Sequence, residues 1–250
     1  MKRYYGKLKK NKAYIFDVDG TLTPSRGQID HEFKEFFNRF CLANDVYLVT
    51  GSDREKTIEQ IGEDTYNLCK RVYNCSGNDA WEGSTNVYRH HWRLPQKPWK
   101  YLESCLGRSQ FVPMTGWHFE ERPGLLNFSI VGRRCTQEQR EKYVKWDTMM
   151  SERKTIAEEF NECFSEDYQV KATVAGETGL DITPIGMGKA QILNDVVFTK
   201  YDHPIDEIWF FGDKTKKGGN DHDIATVMIA NDNYVVPVND WKDTYRILNQ

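Results

Sequence analysis

Two aspartates stand one residue apart in the segment Ala13-Tyr14-Ile15-Phe16-Asp17-Val18-Asp19-Gly20-Thr21, directly after an apolar run. Carboxylates that close repel each other and are costly to desolvate, and a divalent cation removes the conflict. Further along, Thr50 and Ser52 follow the apolar stretch VYLV, Lys189 opens a segment with helical apolar spacing, and Asp213 ends the strand-like EIWFFGD. A Gly-rich loop then carries Asn220 and Asp221. In a parallel sheet, ligands sit beyond the C-terminal ends of the strands, so Asp17, Thr50 and Asp213 are expected at one edge. Oxygen donors with no His/Cys cluster favour Mg²⁺ over zinc. The chemistry such a set supports is phosphoryl transfer. Asp17 is the candidate nucleophile and Asp19 the acid/base. Asp17, Asp19, Asp213, Asn220 and Asp221 are the candidate metal ligands. Thr50 and Ser52 suit phosphoryl oxygens, and Lys189 offsets transferred charge. Each piece also has a plainer reading: an Asx-rich turn for DxDG, a helix N-cap for Ser52 or Asp53, a surface lysine for Lys189, a surface loop for GDKTKKGGND.

The elements that must position these groups read as α/β. AYIFDVD, VYLVTGS and RVYNCSG alternate with helical stretches: one capped by Asp30 with Phe33, Phe36, Phe37, Phe40 and Cys41 on its apolar face, then REKTIEQIGEDTYNLCK as a single helix. This βαβαβ order predicts a parallel sheet covered by helices. The middle of the chain has a different pattern. STNVYRHHWRLP reads as extended and PWKYLESCLG as a short helix. A hairpin turns at Pro123-Gly124, TQEQREKYVKWDTMMSERKTIAEEFNECF is a long helical stretch broken once, and YQVKATVAGETGLDITPI is extended with a glycine turn. The last part resumes the alternation of strand and helix. It holds a helix from MGKAQILNDVVFTKY, the strand ending at Asp213, short strands in ATVMIAN and YVVPV, and a closing helix in WKDTYRIL. The expected organisation is a core of residues 1–82 and 187–250 interrupted by an α+β insertion at 83–186.

The chain has 250 residues with the composition of an ordinary globular protein. Its net charge of −3 argues against nucleic acid or an anionic membrane as a general partner. The basic start is followed by only AYIF, shorter than the roughly 7–15 apolar residues of an export signal. Six cysteines lie scattered without a CxxC pair, so free thiols in a reducing cytoplasm are expected.

DVDGT, a hydroxyl after the second strand, a lysine, and GDxxx…ND resemble the four ordered motifs of the haloacid dehalogenase superfamily. FDVDGTLTPSRGQI, GSDREKTIEQIGED, FEERPGLLNFSIVGRRCTQEQR and FFGDKTKKGGNDHDI resemble the eukaryote-type phosphomannomutases, from about Tyr14 to Ile224. That resemblance implies a Rossmann-like core with an inserted cap domain. It implies phosphorylation of Asp17, acid/base action by Asp19, and roles for Lys189 and Asp213 with Asn220 and Asp221 nearby. It carries sugar- and phosphate-binding positions onto Arg26, Arg122, Asn127, Arg133, Arg140 and Asp181, and Gly179 stands where the family usually has serine. The implied reaction converts mannose 6-phosphate to mannose 1-phosphate for nucleotide-sugar synthesis, with a hexose 1,6-bisphosphate activator and a homodimer joined through the cap. The residues themselves agree on one point: a sugar gripped by a phosphate at each end in turn needs a second cationic cradle, and the arginine fork suits it. A sugar-phosphate phosphatase is the alternative, since it shares the first chemical half and differs in admitting water.

Overall fold

The computed structural model describes residues 11–25, 27–198 and 205–250, and these divide into two compact units. The first takes the described residues up to Tyr88 together with those from Gly188 onward, and the second is Arg89–Met187. The basic lead-in and Arg26 lie outside the described residues.

The first unit is built on β1 (Lys12–Phe16), β2 (Asp45–Val49), β3 (Arg71–Asn74), β4 (Asp79–Glu82), β5 (Thr85–Arg89), β10 (Glu207–Gly212) and β11 (Tyr234–Pro237). They form one sheet in the order β11-β10-β1-β2-β3-β4-β5, with the five strands from β11 to β3 parallel and β4 antiparallel to β3. The insertion is expected to start at 83, but β5 joins the edge of this sheet and the second unit starts at Arg89.

Alternate strand residues feed opposite faces. Phe16 packs with Phe33 and Phe37 of α1 (His31–Ala43), Ile61 of α2 (Arg54–Ile61) and Tyr66 of α3 (Glu63–Leu68). Ala13 and Ile15 pack with Ile192 and Val196 of α7 (Ile192–Phe198) and with Ile224 and Met228 of α8 (His222–Ala230). Each fully buried side chain of this kind contributes roughly 1.5–3 kcal/mol. The closing helix α9 (Trp241–Leu248) stacks Trp241 on Phe33. The result is helices on both faces of a parallel-dominated sheet.

Three local expectations need correction. The stretch 54–70 is two helices, because Gly62 (φ 84°) ends α2 with its N–H on the Ile58 carbonyl. Lys189 does not open a helix but lies in a 3-10 turn, Lys189–Gln191, ahead of α7. ATVMIAN is not a strand: all of it but Asn231 belongs to α8. Its neighbours β10 and β11 pair in parallel, so a crossover is required between them, and Ile224, Ala225 and Met228 are buried at helical spacing.

In the second unit a four-stranded antiparallel sheet runs in the order β6-β7-β9-β8: β6 (Phe119–Arg122), β7 (Leu125–Phe128), β9 (Gly179–Pro184) and β8 (Val170–Ala175). One face is covered by α4 (Gln96–Arg108), α5 (Gln137–Met150) and α6 (Glu152–Tyr168). Leu126, Phe128, Leu180, Ile182 and Ala172 meet Leu102, Tyr143, Phe160 and Phe164 there. The single break in the long helical stretch falls at Ser151 (φ 54°). None of the six cysteines is in a disulfide. Among the described residues no helix is long and apolar enough to cross a membrane.

Candidate active site

Asp17 leaves β1 still paired to β10, its N–H donating to the Phe211 carbonyl at 2.9 Å. The carboxyl is therefore held at the C-terminal edge of the sheet. Asp213 follows β10 directly. The loop after it returns, and Asp221, the residue just before α8, is fully buried. Ligand oxygens of Asp17, Asp213 and Asp221 lie within 4.8 Å of one another. Lys189, 1% exposed, donates from Nζ to Asp17 Oδ1 at 2.5 Å and to Asp221 Oδ1 at 2.7 Å. The other Asp221 oxygen accepts the Lys214 N–H at 3.1 Å, and the Thr21 hydroxyl donates to Asp17 Oδ2 at 3.4 Å.

Electrostatics follow from this burial. Desolvation pushes the Asp17 carboxyl up to about 7; the Lys189 ammonium opposes the rise, and the Asp221 and Asp213 charges add to it. Asp213 is raised as well, chiefly by burial. Burial alone lowers the Lys189 ammonium, but Asp17 and Asp221 more than reverse this and hold it above the usual lysine range.

Thr50, directly after β2, is fully buried, its N–H donating to the Tyr73 carbonyl and its hydroxyl oxygen accepting the Ser52 N–H at 3.1 Å. Capping of α2 falls to Asp53, which accepts from the Lys56 N–H, and not to Ser52. Asp19 stands outside the three-carboxylate group, and Asn220 is exposed on the loop. Asp19 is instead held from α2: Gln60 Nε2 donates to its Oδ1 at 2.9 Å.

The second unit carries the remaining described positions, with Glu120, Asn127 and Asp181 on the sheet face away from its helices. Glu120 pairs across to Asn127, and Asn127 to Asp181, so these side chains share one face. Asn127 donates to Asp181 Oδ1 at 2.6 Å. Arg122 and Arg133 converge on Glu120: Arg122 Nη2 is 3.0 Å from one carboxylate oxygen and Arg133 Nε 2.5 Å from the other. Burial raises the Asp181 carboxyl, countered by the Asn127 hydrogen bond and the Arg122 and Arg133 charges. Arg140, at the start of α5, donates to Glu177 at the β8–β9 turn at 2.7 Å. A Cβ on Gly179 would lie 2.8 Å from Asn127 Nδ2, so the Asn127 amide occupies the room a side chain at 179 would need.

The profile of the eukaryotic phosphomannomutases matches residues 33–250. The chain belongs to this family. It is 35% identical over 221 residues to a phosphomannomutase of Galdieria sulphuraria, covering 84% of this chain and 83% of the relative. It is 30% identical over 252 residues to one of Drosophila melanogaster, covering 97% and 96%. Among solved structures it is similar to a haloacid dehalogenase-like hydrolase from Bacteroides thetaiotaomicron, with a TM-score of 0.62, 15% identity and coverage of 96% and 99%. A trehalose-6-phosphate phosphatase of Aspergillus fumigatus aligns with a TM-score of 0.54 at 15% identity, covering 96% and 92%. At these identities the two structures speak for the fold alone.

Within this family's scaffold the carboxylate group fits a hard dication. All three donors are oxygens, and three carboxylates against the Lys189 ammonium leave a formal charge of −2. Burial raises the Asp17 and Asp213 carboxyls, and a bound dication would oppose that rise. Room beside Asp213 is kept by Gly20 (φ 82°), where a Cβ would stand 2.5 Å from Asp213 Oδ2.

Three residues of the site were not singled out from sequence. Gln60 lies with Thr57 and Ile61 on the buried side of α2, where a polar side chain must find a partner, and that spacing was the available signal. Glu120 follows Phe119 in strand alternation and so faces away from the apolar core. The Thr21 hydroxyl was legible only as part of DVDGT.

Proposed function

We propose that the protein is a Mg²⁺-dependent phosphohexomutase interconverting mannose 6-phosphate and mannose 1-phosphate, with a hexose 1,6-bisphosphate as the source of the phosphoryl group on the enzyme. The observation that carries the proposal is the buried Asp17–Lys189–Asp221 cluster beside Asp213, at the strand ends of a chain of this family. Mg²⁺ held by Asp17, Asp213 and Asp221 would screen the phosphate oxygens from the carboxylate that attacks them.

The chain's own groups divide the work. An Asp17 oxygen bonds to phosphorus as the bond from phosphorus to the sugar oxygen breaks, and Asp19 gives its proton to that departing oxygen. In the return step the other sugar hydroxyl loses its proton to Asp19 and takes the phosphoryl group from Asp17. Gln60 holds the Asp19 carboxyl in one orientation. Lys189 offsets charge on the transferred group, and the Thr50 and Ser52 hydroxyls bind its oxygens. Arg122, Arg133 and Arg140 suit the phosphate not being transferred; each is already paired with Glu120 or Glu177, so an arriving phosphate competes with a carboxylate. Asp181 and Asn127 suit sugar hydroxyls. A homodimer through the second unit and a cytoplasmic setting belong to the same reading.

The test follows mannose 6-phosphate by phosphorus NMR with Mg²⁺, with and without glucose 1,6-bisphosphate. Mannose 1-phosphate should form only with the activator, and Asp17→Asn should abolish it while leaving the circular dichroism unchanged. Inorganic phosphate without the isomer would mean a phosphatase instead.

A further inference from the structure

The backbone just beyond β3 winds left-handed over three residues, with φ of 49° at Cys75, 57° at Ser76 and 96° at Gly77. Two of the three carry a Cβ, so the conformation is sterically costly and must be imposed by its surroundings. The surroundings are specific. On one side the Cys75 N–H donates to the Ser52 carbonyl at 2.9 Å and the Ser76 N–H to the Thr50 carbonyl at 2.8 Å. On the other side Gln191 Nε2 donates to the Ser76 carbonyl at 2.9 Å. The Tyr88 hydroxyl donates to the Gly77 carbonyl at 2.9 Å, and the Asn78 amide to that of Cys75 at 2.8 Å.

Gln191 belongs to the 3-10 turn that carries Lys189, closed by the Gln191 N–H on the Gly188 carbonyl at 3.1 Å. The turn also packs tightly on the left-handed run. A Cβ on Gly77 would stand 2.8 Å from Ile192 Cγ2 and 2.9 Å from Gln191 Cγ. The run is thus a spacer gripped at both ends, by the loop bearing Thr50 and Ser52 and by the turn bearing Lys189. Ser76 is its midpoint and uses only backbone groups for the grip.

We infer that Gln191 is a positioning residue: through the Ser76 carbonyl it sets the Lys189 turn against the Thr50–Ser52 loop, so that ammonium and hydroxyls keep one spacing. This rests on the proposed phosphoryl-transfer role of Lys189 and Thr50. A lysine ammonium on a flexible stem has many positions open to it. Anchoring its turn two residues downstream narrows them, and small misplacements of catalytic groups are costly in rate.

The test reads the lysine directly. In metal-free protein labelled with ¹³C at lysine Cε, the Lys189 resonance is the one lost in Lys189→Met. It should shift or broaden in Gln191→Ala and in Gln191→Glu, which keeps the length but loses the donor. It should stay in place in Ser76→Gly, which keeps every backbone bond. In turnover, Gln191→Ala should lower kcat by about tenfold with KM within about twofold. An unmoved Lys189 resonance in Gln191→Ala overturns the inference whatever the activity. So does Gln191→Glu behaving as wild type. If the wild type shows no mutase activity while the resonance moves as expected, the functional reading fails and the positioning role stands.

Discussion

Replacing Lys189 by methionine removes the ammonium that the first unit supplies to its buried carboxylates. Lys189 is 1% exposed and touches Asp17 and Asp221, which are 2% and 0% exposed. Methionine fills the stem's volume, so packing is nearly kept and the loss is electrostatic. Deleting one partner of a buried ion pair costs about 3–5 kcal/mol, because the remaining charge stays desolvated. For a chain of this size, about 2–4 °C per kcal/mol then gives a fall in Tm of roughly 6–20 °C. The assay is calorimetry at pH 8 with EDTA, where Asp17, pushed up to about 7, is ionised in the folded wild type. Repeating it with Mg²⁺ should narrow the gap between variant and wild type, since a dication replaces part of the lost charge. A shift below about 2 °C with EDTA would refute the reasoning, because it would mean the ammonium is not what keeps these carboxylates tolerable.

The metal-free wild type should lose stability as pH rises. Folded Asp17 keeps its proton up to about 7, and the unfolded chain releases it near the ordinary 3.8; the folded state therefore binds more protons in this window, stability falls from about pH 4 to about pH 7, and levels off above. Mg²⁺ should flatten the slope, and urea midpoints across that range with and without it will show whether it does. Arg133→Ala or Arg140→Ala should lower mannose phosphate turnover by more than they lower hydrolysis of a small aryl phosphate, which has no distal phosphate to hold; equal losses in folded protein would remove the distal-phosphate role. Gln60→Ala should lower kcat on sugar phosphates by about tenfold and spare the single-turnover release of phenolate from an aryl phosphate, whose leaving group needs no proton. Equal effects on both substrates would mean Gln60 does not act through Asp19.

Much of the candidate site's edge was legible because it is a consequence of strand polarity. An apolar strand that ends in a carboxylate must present it at the C-terminal edge of a parallel sheet, so Asp17 and Asp213 were placed by local pattern. The hairpin at Pro123-Gly124 and the break in the long helical stretch were likewise local, written in turn chemistry and spacing. ATVMIAN misled because an apolar run of that length fits a strand or a buried helix equally. Only the parallel pairing of β10 with β11 decided between them, by demanding a crossover.

What the tertiary structure decided are the contacts between distant segments. Lys189 and Asp17 are 172 positions apart, and nothing in either segment says that the ammonium bridges Asp17 to Asp221. Gln60 reaches Asp19 across 41 positions, and Gln191 reaches Ser76 across 115. Glu120 meets Arg122 within its own strand, but its pairing with Arg133, in the turn beyond β7, is set by the fold. The sequence by itself determined which groups are acids, bases and cations and which strand or turn carries each, since these follow from residue type and short-range periodicity. Their pairing, burial and charge state were set by packing, because desolvation and Coulomb forces depend on separation in space and not along the chain.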